Sequence, residues 1–261
     1  MLQIEATLGM LTAYLDESSD DRAYVVARFV ARDELWTNFS TDWRTDLAAP
    51  PKISHFKMHD VFTTKTNGVF RNHPLQERIA KTESLISIIN THLPCRDDLA
   101  VNVVMDVRAY KSILEPALPR TYQNPYLWCF QGILVSCSSW IKATAAGETI
   151  NFTFDDNKKE FRDALRLYQR VANLPGFVEV KKVVGTIRPG DDKAVMPLQA
   201  ADLLAGQTRL YGTDKSSATF IPSIARTRRS HFSYLLGKNR LAAIRLRIEE
   251  TSAWVQEFMK P

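Results

Sequence analysis

Apolar residues alternate with polar ones over 9–17 (GMLTAYLDE) and crowd 23–30 (AYVVARFV), with the polar turn 18–22 between them. Two short apolar runs about a polar turn predict two adjoining strands. The period then lengthens. Trp36, Phe39, Trp43 and Leu47 fall at helical spacing behind Asp33, a candidate cap, and Pro50-Pro51 ends that helix. Segment 52–60 (KISHFKMHD) predicts a short strand or sheet edge, followed by a polar loop running to Pro74. Leu75, Ile79, Leu85, Ile86 and Ile89 give the 3.6-residue repeat of an amphipathic helix over 75–93. Further strands are predicted over 99–105, 148–155 and 178–184. Further helices are predicted over 126–146, 157–172 and 197–211, the last with Pro197 in its first turn. The stretch TIRPGDDKAVMP reads as a loop, and 221–248 as one or two terminal helices. Strands and helices that interleave after an initial strand pair predict an α/β protein, a mixed sheet flanked by helices. The expected organisation is a domain over 1–212 and a basic helical C-terminal extension over 213–261 packed on it.

Composition adds bounds rather than direction. With 261 residues, 45% hydrophobic and 24% charged, the chain can bury a sizeable core as a soluble domain. No apolar run reaches the roughly 18 residues that span a bilayer. The start MLQIEATLGML carries Glu5 and no basic cluster, so no signal peptide is expected. Cys95, Cys129 and Cys137 lack CxxC spacing and suit small core hydrophobes better than a disulfide framework or zinc site. A reduced, cytoplasmic protein with no membrane partner is the expectation. Charge is more telling in its distribution than in its net value of +5. Segment 221–248 holds Arg226, Arg228, Arg229, Lys238, Arg240, Arg245 and Arg247 with no Asp or Glu. Such a block suits a polyanionic partner, and equally a solvated helical face.

Three acidic positions carry the candidate chemistry: Asp16-Glu17 in AYLDESSDD, Asp155-Asp156 in INFTFDDNK, and Asp202 in PLQAADLLAG. The first two close strand-like runs, and the third sits among Ala and Leu, where a carboxylate is costly without a partner. Carboxylates from two strand ends and one helix can converge on Mg²⁺ or Mn²⁺, which needs several hard oxygen ligands around an open position. Asp16, Asp155 and Asp202 are the expected metal ligands. Glu17 is a further ligand or water-positioning group, although neighbours in a regular strand face opposite ways. Asp156 suits the cap of the next helix. Gln199, three residues before Asp202, shares its helix face and could orient a phosphate or a bound water. Plainer roles stand beside these: turn chemistry for 16–18, a cap for Asp155, an intrahelical ion pair for Asp202. Together the three positions match a ribonuclease H-like layout.

His55 and His59 are four apart, but no HExxH glutamate accompanies them, and Lys57 between them could meet phosphate. GxSxG, GxGxxG and Walker sequences are absent, which removes the common hydrolase, dinucleotide and nucleoside-triphosphate sites. Carboxylate-pair glycoside hydrolysis lacks the aromatic sugar platforms it would favour.

AYLDESSDD, HFKMHD, FTFDD and PLQAADLLAG, in that order over roughly residues 10–212, resemble the domain-of-unknown-function 3800 family, a bacterial group assigned to the ribonuclease H-like fold. The resemblance implies a metal-dependent nuclease with Asp16, Glu17, Asp155 and Asp202 as its acidic positions. Ser19 departs from the family, which has Gly after the DES triplet. The expected activity is phosphodiester hydrolysis on nucleic acid, with Lys57, Gln199, Arg226, Arg228 and Arg229 as nucleic-acid contacts. The alternative is a non-catalytic nucleic-acid- or protein-binding module of the same fold, an accessory of a phage-defence or toxin system.

Overall fold

A computed structural model describes residues 10–63, 68–93, 99–144, 147–155, 158–172, 177–213, 220–224 and 230–250. One six-stranded sheet organises them, in the order β5-β4-β1-β2-β3-β6. β1 (Leu11–Ser19), β2 (Ala23–Arg32) and β3 (Leu99–Asp106) form an antiparallel meander. β4 (Ile150–Asp155) and β5 (Val184–Gly190) add in parallel beyond β1, and β6 (Ser230–Leu236) in parallel beyond β3.

The alternation along β1 sorts its side chains between two layers. Leu11, Ala13 and Leu15 join one core with α5 (Pro125–Thr144), and Tyr14 packs on a second core with α1 (Asp33–Ala48), α3 (Leu75–His92) and α8 (Met196–Thr213). β2 is buried on both faces, which is why AYVVARFVAR is nearly continuous in apolar residues. The predicted aromatic stripe of α1 packs inward: Trp36, Phe39 and Trp43 are all buried. α6 (Lys158–Val171) lies on the α5 side, with Phe161, Leu167 and Tyr168 against that core.

Three local expectations are corrected. Segment 52–60 is not a strand: it enters α2 (Met58–Phe62), whose Met58 and Val61 are buried three apart. Residues 178–183 form α7 (Val178–Val183), because Val180 and Val183 at helical spacing both reach the core. The strand comes afterwards, as β5, in what read as a loop; Pro189 is tolerated there because β5 is an edge strand. The C-terminal segment is not wholly helical. SHFSYLL is β6, between α9 (Ile221–Ile224) and α10 (Lys238–Glu250), so the predicted extension supplies a strand to the main sheet. A three-residue helix, α4 (Val107–Ala109), follows β3. Among the described residues no helix is long and apolar enough to cross a membrane.

Candidate active site

Parallel pairing of β1 with β4 sets Leu15 opposite Phe154, so Asp16 and Asp155 come abreast at the next position. Leu15 and Phe154 both face the α5 side; the following residues therefore face α8. α8 packs across β1 and β2 and carries Asp202 over them. β1 runs on to Ser19, so Asp16 does not close its strand as expected but stands within it, just past the last pair with β4, whereas Asp155 does end β4. Two strands and one helix thus bring three carboxylates to one region.

Asp16 is 4% exposed. Its Oδ1 accepts the Glu17 backbone N–H at 2.7 Å, and its Oδ2 is buried with no hydrogen-bond partner among the described residues. Burial, then the charges of Asp202, Glu17 and Asp155, push this carboxyl well above its ordinary range, against the pull of Lys57. Asp202 is partly buried and accepts the Met58 backbone N–H through Oδ2 at 2.6 Å. Burial raises its pKa too, to about 6, with Lys57 and the Met58 N–H opposing and Asp192 and Asp155 adding to the rise. Register pairs Glu17 with Val26, whose side chain lies in the α5-side core. Glu17 therefore starts on the opposite face from Asp16 and acts on it through charge.

Of the three residues in HFKMHD, Lys57 is the one held in the field of Asp16 and Asp202. It forms an ion pair with Asp192, and although burial lowers its pKa, the three carboxylates raise it further. His55 donates to or accepts from Ser54 Oγ at 2.9 Å, and burial lowers its pKa. His59 is exposed on α2.

Gln199 departs from its expected role. It is 1% exposed, its Oε1 accepts from Trp43 Nε1 and from the Phe56 N–H, both at 2.9 Å, and its Nε2 donates to the Asp192 carbonyl at 2.8 Å. An amide so occupied cannot orient a phosphate. It ties residue 56 and residue 192 to α8, and so positions Lys57 and Asp192 on either side of the pair they form.

Asp192 is the site member that sequence reasoning missed. It lies in the GDDKAV segment directly after β5, at the same sheet edge as Asp16 and Asp155, and is 9% exposed. Two adjacent acidic residues just ahead of LQAAD were the available signal, obscured because β5 read as loop. Asp156, Arg226, Arg228 and Arg229 lie outside the described residues. On α10, Arg240 stacks on Tyr234 at 3.9 Å and Arg245 bonds Glu249 at 2.7 Å.

The donors suit a hard divalent cation in kind: carboxylate oxygens, one of them buried and unsatisfied. Among the described residues no three carboxylate, imidazole or thiol groups stand close enough together to hold an ion in this arrangement. Asp16, Glu17, Asp155, Asp192 and Asp202 are set against the Lys57 ammonium, an excess of negative charge that a cation would relieve. A scan against protein-family models and a search of curated proteins both return no match for the chain.

Proposed function

We propose that the protein is a metal-dependent nuclease of the ribonuclease H-like class, akin to the domain-of-unknown-function 3800 family, hydrolysing phosphodiester bonds. The observation that carries this proposal is the buried Asp16 carboxylate, its Oδ2 unsatisfied, beside Asp155 and Asp202 at one sheet edge. The sheet order accords with it: a three-strand meander with two parallel strands added beyond β1.

Asp16, Asp155 and Asp202 would hold Mg²⁺ or Mn²⁺, which when bound polarises a phosphoryl oxygen and makes hydroxide accessible near neutral pH. Glu17 adds negative charge behind Asp16. The Met58 N–H fixes one oxygen of Asp202, and the other would meet the metal. Lys57, kept protonated by its carboxylate neighbours, can give up part of its contact with Asp192 and neutralise a phosphate oxygen of the nucleic-acid partner.

A non-catalytic binding module has one observation in its favour: Lys57 already serves the carboxylates as an internal counter-ion. Cleavage of labelled single- and double-stranded RNA and DNA, with Mn²⁺, Mg²⁺ or EDTA, separates the two. A nuclease gives metal-dependent products that vanish in Asp16→Asn. A binding module gives no products, and retains nucleic acid in EDTA.

A further inference from the structure

On the sheet face away from Asp16 and Asp202, a cleft of about 300 Å³ opens between the turn at 120–124 and α6. Three guanidinium groups line it, and the fold uses little of their charge. Arg120 makes no side-chain ion pair or hydrogen bond among the described residues. Arg166 reaches Asp163 only at 3.9 Å, the outer limit of an ion pair. Arg170 donates to Tyr122 Oη at 3.0 Å, a neutral acceptor that leaves its charge uncompensated. Asp163 is the carboxylate of the lining, so positive charge is in excess.

Below the arginines the lining changes character. Leu127 is buried and Leu167 partly buried, giving the cleft an apolar floor under a cationic rim. The volume lies at the small end of the roughly 300–1,000 Å³ typical of ligand pockets. Guanidinium forks pair with carboxylate and phosphate oxygens alike, but three of them exceed the two oxygens and single charge of a carboxylate, whereas a phosphate monoester offers three terminal oxygens and up to two charges. The floor can take the ribose or base that such an ester carries.

The geometry points to a phosphate-ester binding site in this cleft, distinct from the carboxylate site and independent of any metal there. Its ligand is a nucleotide phosphate, supplied by a free mononucleotide or by a nucleic-acid strand. The test is calorimetric titration with AMP and with a short single-stranded oligonucleotide, in EDTA so that no metal-bridged binding at the carboxylate site contributes, at about 50 mM salt. At least one probe binds saturably to the wild-type chain. Arg120→Ala/Arg166→Ala weakens it about tenfold or more, as loss of charge-assisted bonds requires. Arg44→Ala/Lys52→Ala, an equal loss of charge among exposed residues on the α1 side, leaves binding unchanged. Binding of AMP identifies a free nucleotide; binding of the oligonucleotide alone identifies a strand. Three results overturn the site: no probe binds, the double arginine variant binds like wild type, or the control weakens binding equally. Thermal melts of both double variants confirm that the fold is retained, since all four residues they replace are exposed.

Discussion

Asp16 and Asp202 each carry an ionisation cost that a bound cation or a proton relieves, so the cost has a sign in pH. Both carboxyls titrate above the unfolded value of about 3.9. The fold therefore favours their protonated forms. The stability they contribute is complete below about pH 4 and is lost as pH rises through the folded pKa. Asp20 works in the opposite sense: despite burial, hydrogen bonds from the Ala23 and Arg22 N–H groups and from Arg209 hold it low. The metal-free protein compared with Asp202→Asn isolates the site, and the variant should lose less stability between about pH 4 and 7. An identical pH profile for the two would remove the electrostatic strain assigned to the pair. Lys57→Met should cost the metal-free protein about 1–2 kcal/mol, less than a fully buried pair because Lys57 is partly exposed. Denaturant melts with and without Mn²⁺ measure it; equal stability of the variant and the wild type would deny Lys57 its counter-ion role. Away from the site, Arg28 is 0% exposed, and none of its three guanidinium nitrogens has a hydrogen-bond partner among the described residues. Burial alone brings its pKa down to about 9. Arg28→Met fills similar space without a charge and should stabilise the fold by about 1–3 kcal/mol; a loss of stability would show that the guanidinium is satisfied in solution.

Elements decide where those residues stand, and they were unequally legible. β1 and β2 were legible as apolar runs on either side of a polar turn, and α1, α3, α5 and α8 because each is 16 residues or longer. α2, α7 and β6 were not, since runs of five to seven residues fit both periods and tertiary contact decides between them. The acidic positions were legible with their elements: β1, β4 and a long helix carry Asp16, Asp155 and Asp202, although Asp16 lies three residues short of the end of β1. Lys57 and Asp192 needed the fold, because each sits in a short connection whose position depends on Gln199. Arg78 and Lys81 on α3 do comparable work: Arg78 gathers the carbonyls of Val61, Thr63 and His73, and Lys81 those of Asp46 and Ala49. α8 approaches α2 through Gly206, where an added Cβ would stand 2.6 Å from Met58 Cγ. Gly206→Ala must displace Met58, whose N–H holds Asp202. It should therefore lower cleavage at least about tenfold, with a smaller stability loss of about 1–3 kcal/mol. Unchanged turnover would uncouple the Met58 contact from the site.

At the scale of the molecule, one sheet carries two faces with different chemistry. The α8 side gathers carboxylates from within β1, at the end of β4 and just past β5. The α5 side is an apolar core whose rim, beside α6, holds the arginine cleft. β6 closes the sheet beyond β3, so the C-terminal segment is part of the same architecture. Everything in the nuclease proposal depends on whether the carboxylate edge takes a divalent ion. Mn²⁺ titrated calorimetrically into the wild-type chain and into Asp16→Asn and Asp202→Asn measures that directly. Saturable binding that raises the wild-type melting temperature and is lost or greatly weakened in both variants is the predicted result. No Mn²⁺ binding, or binding that is the same in all three proteins, would contradict a metal site at Asp16, Asp155 and Asp202.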